Sequence, residues 1–167
     1  QYESGNFTRV LSPGRYTFWK GLIDYKFVKA DLSKIEITEE IDLVVRKRRE
    51  LVPYIRVCKV ERYEKAVLFV NGEFNRKLDA GEYYFWKNEI PLSLLKADMR
   101  QVQMEVSGQE ILTKDKAALR INFYGQYKVI DIVKALVENK DFERQLYVLM
   151  QLALREFIGR FTLDELL

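Results

Sequence analysis

Gly72-Glu73-Phe74-Asn75-Arg76-Lys77-Leu78-Asp79-Ala80-Gly81-Glu82-Tyr83-Tyr84-Phe85-Trp86-Lys87 repeats, without a gap, the pattern of Gly5-Asn6-Phe7-Thr8-Arg9-Val10-Leu11-Ser12-Pro13-Gly14-Arg15-Tyr16-Thr17-Phe18-Trp19-Lys20. The register runs on through Ile23 with Ile90 and through Lys29-Ala30-Asp31 with Lys96-Ala97-Asp98. Nearly half the positions from Gly5 to Asp31 match their partners, with weaker agreement at Ile35 with Val102 and Ile37 with Met104. Such a repeat is read before any motif, because it fixes the unit of folding. The unit is β-structure. Asn71-Gly72 is the dipeptide that type I′ hairpin turns favour, since both central residues need positive φ. It lies between the apolar strand Ala66–Val70 and the segment Phe74–Leu78. Gly14 and Gly81 mark a second turn, each followed by an aromatic strand of the form Tyr-x-Phe-Trp. Each copy therefore predicts a hairpin, a further strand, and an extended crossover to the Ala-Asp pair. The first copy lacks most of the strand equivalent to Glu64–Val70, so the natural protein is expected to extend upstream of Gln1.

Working outward, Thr38 to Arg49 reads as a helix. Thr38 is a possible N-cap, acids fill the first turn, bases fill the last, and Pro53 stops the pattern. Tyr54–Val60 reads as a strand. Beyond the second copy, Gln101–Val106 alternates polar and apolar. Glu110–Thr113 and Ala117–Ile130 flank a hairpin turn at Lys114-Asp115, with Leu119, Ile121 and Phe123 on one face and a bulge expected at Gly125. Asp131 can cap a helix over Ile132–Asn139, and Asp141 a longer one to about Ile158. On the longer helix Leu146, Leu149, Met150, Ala153 and Phe157 are expected to form the apolar face. Gly159 is a C-cap position, and Thr162-Leu163-Asp164-Glu165 has capping-box spacing that opens a new helix, expected to continue past Leu167. Strands followed by helices predict an α+β fold. The expected division is an N-terminal β-rich repeat module with one helix over 1–60 and a second domain over 61–167.

Composition narrows the chemistry. The 167 residues contain no histidine and one cysteine, Cys58, which removes Ser-His-Asp and Cys-His catalysis and a Cys/His zinc site. No motif supports a Ser-Lys pair. No catalytic residue, metal or cofactor is expected, and the chain does not read as an enzyme. Net charge is +3, from 28 basic and 25 acidic residues, too balanced to suggest nucleic acid. No apolar run approaches the roughly 20 residues that span a bilayer, and no signal peptide is visible.

A few residues carry sharper alternatives. Arg46-Lys47-Arg48-Arg49 could meet anionic lipid headgroups, each base adding ~1 kcal/mol near the surface. The competing reading is a helix C-terminus complementing its own dipole. Trp19 and Trp86 could sit in a membrane interface, but their equivalence in the two copies favours hairpin packing. Cys58 could be acylated; its place in a strand favours a small buried hydrophobe. Asp31 and Asp98 share a position and are expected to share turn or capping chemistry.

Residues Gln109 to Leu167 resemble the stomatin-type domain, also called band 7. The motifs are Glu110-Ile111-Leu112-Thr113-Lys114-Asp115, Tyr127-Lys128-Val129-Ile130-Asp131 with Lys134-Ala135, and Leu154-Arg155-Glu156-Phe157-Ile158-Gly159-Arg160, ending in Leu163-Asp164-Glu165-Leu166-Leu167. Leu68–Asp98 also resembles that family's opening hairpin, so the likeness runs from about Lys65 to the end and is strongest to the slipin branch of the stomatin/prohibitin/flotillin (SPFH) superfamily. Ile132 stands where many relatives have proline, and the N-terminal half-copy is not part of the usual domain. The resemblance implies an SPFH/band 7-like antiparallel sheet covered by helices over 61–167. It further implies a non-catalytic, membrane-associated scaffold that forms homo-oligomers and reaches lipid through segments outside this chain. The alternative it implies is a protein-binding module regulating a membrane-bound serine protease of the NfeD type or a channel. The cytoplasmic face is the expected location, with this fragment itself soluble.

Overall fold

The computed structural model describes residues 1–19 and 21–167. The chain divides into two compact units, one of residues 1–59, 70–73 and 81–93, the other of residues 60–69, 74–80 and 94–167. Strands and helices together make the α+β fold that the sequence predicts.

In the first unit, β1 (Tyr2–Glu3), β2 (Asn6–Phe7) and β3 (Tyr25–Lys26) form a small antiparallel sheet in the order β2-β1-β3. Then come α1 (Leu43–Arg46) and β4 (Ile55–Val60), and β4 pairs with β7 (Gly81–Trp86). The core gathers Tyr2, Val45, Leu51, Ile55, Tyr84 and Trp86. Trp86 is 1% exposed. Its indole N–H donates to Glu39 Oε2 at 3.2 Å and its backbone N–H to the Ile35 carbonyl at 2.8 Å.

That use of Glu39 explains why the helix predicted over Thr38–Arg49 shrinks to Leu43–Arg46. Glu39 also accepts the Asp31 backbone N–H at 2.8 Å, and its own carbonyl takes the Ile41 N–H at 2.8 Å, a three-residue turn incompatible with helix. Burial pushes the Glu39 carboxyl up, but the backbone donors and the indole outweigh it and hold it below the usual range. Past Arg46, Arg48, Leu51 and Tyr54 each donate to the carbonyl three residues back, so the chain turns repeatedly where more helix was predicted.

The second sheet has the order β6-β5-β8, from β5 (Glu64–Val70), β6 (Glu73–Leu78) and β8 (Leu92–Asp98). Each of these strands aligns, in the sequence register described above, with its counterpart in the order β2-β1-β3. Ser4 and Gly5 have φ of 47° and 82°, Asn71 and Gly72 have 53° and 80°, so both turns place two residues in the left-handed region. Ser4 N–H donates to the Asp24 carbonyl and Asn71 N–H to that of Pro91, again at matching positions. Tyr2 meets Phe7 edge-on at 5.7 Å, and Phe69 meets Phe74 edge-on at 6.4 Å. Asp31 accepts from the Ser33 N–H and Asp98 from the Arg100 N–H, the shared turn chemistry expected of them. The copies part at the aromatic strand. Gly81–Trp86 is a strand, whereas residues 14–19 join no ladder. Lys20 lies outside the described residues.

The second unit continues with a long antiparallel hairpin, β9 (Gln101–Leu112) and β10 (Ala118–Lys128). The two strand segments predicted before Lys114 are one continuous strand. Its bulge is not at Gly125. The register shifts between Ile121 and Phe123, where Ser107 and Gly108 oppose Asn122. Gly108 has φ 67° and its N–H donates to Asn122 Oδ1 at 2.8 Å. Gly125 instead makes room for α2 (Phe142–Ile158), since a Cβ there would collide with Met150 Cε. Asp131 Oδ1 accepts from the Val133 and Lys134 N–H groups and caps a short helical stretch that includes a π-turn, Lys134–Glu138. Val129 and Ile132 pack with Val67 and Ala97 into the second core.

Asp141 caps α2 through the Arg144 N–H, as predicted. The inward face holds Leu146 and Met150 of the predicted set. With them Phe142, Tyr147, Gln151 and Leu154 are half-buried and Ile158 is buried, while Leu149, Ala153 and Phe157 are exposed. The helix is apolar on more than one side, so periodicity could not choose between them. Tyr127 donates to Glu143 at 3.0 Å, and burial with that carboxylate pushes its phenol up to about 12. Gly159 ends α2 with φ −65°, not in the left-handed region. The hairpin turn then grips the last elements. Lys114 N–H donates to the Phe161 carbonyl, and Asp115 Oδ1 accepts from the Thr113 hydroxyl and from the Leu163 N–H at the start of α3 (Leu163–Leu166). Glu165 closes back on the Thr162 N–H at 2.7 Å.

Two outcomes follow from this packing. Trp86→Ala should cost ~3–5 kcal/mol by chemical denaturation, and Trp19→Ala no more than ~0.5 kcal/mol, despite their matching places in the repeat. The Thr113 hydroxyl holds the Asp115 carboxyl below the usual range; the Lys134 and Val133 N–H groups do so for Asp131, and Arg100 for Asp98. With folded values depressed, these groups stabilise the fold above the ordinary carboxylate range and lose that contribution as pH falls through the depressed values. Asp115→Asn should therefore lower the melting temperature at neutral pH, and the gap to the wild type should close on acidification below the ordinary carboxylate range.

Candidate functional site

No group of three or more Cys, Asp or Glu side chains among the described residues could hold a metal ion. The well-placed carboxylates serve the backbone instead: Asp31 and Asp98 close turns, Asp131 and Asp141 cap helices, and Asp115 ties the hairpin to α3. What the molecule offers is surface.

The basic run is only partly available to an outside anion. Arg46 Nε donates to the Ile41 carbonyl at 2.9 Å, and its guanidinium lies 6.0 Å from the Tyr84 ring centre. Arg48 stands 5.6 Å from the Phe7 ring. Lys47 Nζ reaches Glu82 at 2.5 Å, and the Glu82 carboxylate and the Tyr84 hydroxyl beside it push the Lys47 ammonium up. That same ammonium, with the Tyr84 hydroxyl, holds the Glu82 carboxyl down. Arg49 is exposed. The run thus ends a four-residue helix and packs against the first unit's own core.

The two tryptophans separate. Trp86 is the centre of that core, whereas Trp19 is 91% exposed and lacks the packing expected from its partner. Cys58 is half-buried in β4 rather than enclosed.

Two apolar surfaces were not singled out by sequence reading. On α2, Val148, Leu149 (62% exposed) and Leu152 (56%) form a solvent-facing patch away from the packed side. The available signal was the surplus of large apolar residues over what one helix face can bury. Near Trp19, Leu22 is fully exposed and Ile23 partly so. There the signal was the Gly21 break after an aromatic strand pattern. No helix among the described residues is long and apolar enough to cross a membrane.

Residues 58–167 match the family described as SPFH domain / Band 7 family. A stomatin homologue of Pyrococcus horikoshii is 33% identical over 110 residues, 65% of this chain and 40% of that protein. Stomatin-4 of Caenorhabditis elegans is 31% identical over 108 residues, 65% of this chain and 38% of that protein. Stomatin of Mus musculus is 27% identical over 114 residues, 68% of this chain and 40% of that protein. The chain spans about half the length, or less, of the curated relatives it matches. The family match begins in β4 and takes in the hairpin, the capped helices and the motifs quoted above, and on that extent this chain belongs to the SPFH domain / Band 7 family.

Proposed function

We propose that this chain is the folded part of a non-catalytic, membrane-associated scaffold of the slipin/stomatin type that assembles with copies of itself. The observation that carries the reading is the outward stripe of α2. Val148, Leu149 and Leu152 are large, apolar and exposed on one face of a helix whose other face is already packed against β9. Scattered apolar residues at a surface need no explanation, but several aligned along one helix face mark an interaction site. A second copy is the occupant that a scaffold requires, and isologous pairing of one helix stripe is the simplest geometry for it. The stomatin-type relatives support membrane association. The cytoplasmic face belongs to the same proposal.

Regulation of a membrane-bound serine protease or a channel is a second reading. The outer edges of the two-stranded β9–β10 sheet favour it, because an open edge can take an added strand from a partner.

Sedimentation of the chain over a range of concentrations tests the assembly reading. Replacing Leu149 and Leu152 together by serine should weaken self-association by about tenfold or more, since each loses burial at the contact. Unfolding free energy should change by less than ~1 kcal/mol, as neither side chain is in the core. A wild-type chain that stays monomeric throughout would remove the stripe as an assembly surface.

A further inference from the structure

Residues 16–19 and 21–24 join no strand ladder and lead into β3. Phe18 lies 5.1 Å from Tyr25 and 4.9 Å from Phe27, ring centre to ring centre, and Tyr16 lies 6.4 Å from Phe18. The chain thus goes out and returns with its aromatic rings meeting across the gap. At the far end, between these rings, stand Trp19 at 91% exposure and Leu22 at 105%. Behind the rings Phe27, Val28 and Leu32 continue into a cleft of about 470 Å³ with Leu11, Pro13 and Trp86. Phe27 thus belongs both to the cleft lining and to the cluster of rings.

The charge along this segment is mainly basic. Between Arg9 and Lys29 the only acid is Asp24, against Arg9, Arg15, Lys20, Lys26 and Lys29. Among the described bases Arg15, Lys26 and Lys29 are exposed. Lys26 reaches Glu40 at 3.6 Å, but both side chains are largely in water, so a layer of negative headgroups competes readily for it.

We infer that the tip carrying Trp19 and Leu22 in the N-terminal module, with the aromatic rings behind it and the bases beside it, docks into the headgroup region of an anionic bilayer. Shape and charge select this occupant. A protein partner buries apolar residues in a flat or concave packed patch. Here a tryptophan and a leucine project singly, and water is replaced around them only by a medium that can flow to fit. Tryptophan prefers the headgroup level, where its ring meets hydrocarbon and its N–H stays hydrated. Neighbouring bases add attraction to anionic lipid. One apolar anchor with a basic patch is the two-signal arrangement that gives reversible surface binding. The inference rests on the membrane reading proposed above and gives it a contact point within this chain.

Vesicles test it directly. The 167-residue chain should co-sediment with vesicles of phosphatidylcholine mixed with phosphatidylglycerol, much less with phosphatidylcholine alone, and less again at high salt. Its tryptophan emission should shift to the blue on binding, because Trp19 leaves water while Trp86 is buried throughout. Replacing Trp19 and Leu22 together by alanine should weaken vesicle binding by about tenfold or more and abolish the shift. The circular dichroism should stay that of the wild type, since both residues lie outside the core. Failure of the wild type to bind anionic vesicles overturns the inference, as does a double variant that binds equally well. Loss of lipid-free self-association in the double variant, without any vesicle binding by the wild type, also overturns it and gives the tip to a second copy. If the tip fails while the full-length protein still fractionates with membranes, the membrane reading stands without it. Recovery of the full-length protein in the soluble fraction sinks that reading itself.

Discussion

The first unit depends on burying one indole ring with its single N–H satisfied. Trp86 can be enclosed only if that donor finds an acceptor, and Glu39 supplies it. The backbone on either side extends the clasp. Trp86 N–H goes to the Ile35 carbonyl, Lys87 N–H to that of Tyr54, and the Asn88 amide to the carbonyls of Leu32 and Lys34. Three consecutive residues thereby gather the crossover segment and the entry to β4 around one side chain. The brevity of α1 follows, because a Glu39 held in that position cannot continue a helix.

How far the sequence could be read tracks the range of the forces involved. Turns and caps are local: Asn71-Gly72, Asp131, Asp141, the Thr113-Lys114-Asp115 hairpin and the last short helix are all where their residue types place them. The helix over Thr38–Arg49 failed because its acids, which looked like first-turn residues, serve contacts with Asp31 and with a tryptophan 47 positions away. The inward face of α2 was legible only at Leu146 and Met150. Its apolar residues outnumber one face, and the hairpin beneath it, β9 with Gly125 and Tyr127 of β10, decides which are covered. Gly125 misled as well, since a glycine in a strand signals either a bulge or a close neighbour, and here the neighbour is Met150.

The two copies of the repeat show how one local pattern serves two ends. Both keep the turn with two left-handed residues, the edge-on aromatic pair and the Asp-closed turn. Only the second copy commits its Tyr-x-Phe-Trp segment to a sheet, against β4. Freed from that pairing, the first copy leaves Tyr16 and Trp19 exposed and packs Phe18 on Tyr25 and Phe27. The candidate surfaces therefore share an origin: apolar side chains for which the fold has no inward place, on the N-terminal tip and on the back of α2.

The extra residue at Ser107–Gly108 has a longer reach than its size suggests. Before it, the half-buried and buried positions of β9 are Val102, Met104 and Val106; after it they are Gln109 and Ile111. Side chains alternate with a period of two, so one inserted residue reverses the parity of everything downstream. β10 keeps a single phase, since Asn122 faces two residues at once. Without the insertion Ile111 would swing to the wet side, and Thr113 with its neighbours would arrive at the end of the hairpin half a pleat out of step. The grip of Asp115 on α3 thus presupposes a miscount made several residues earlier. A length change in β9 would be tolerated only in pairs, or with a matching change across from it.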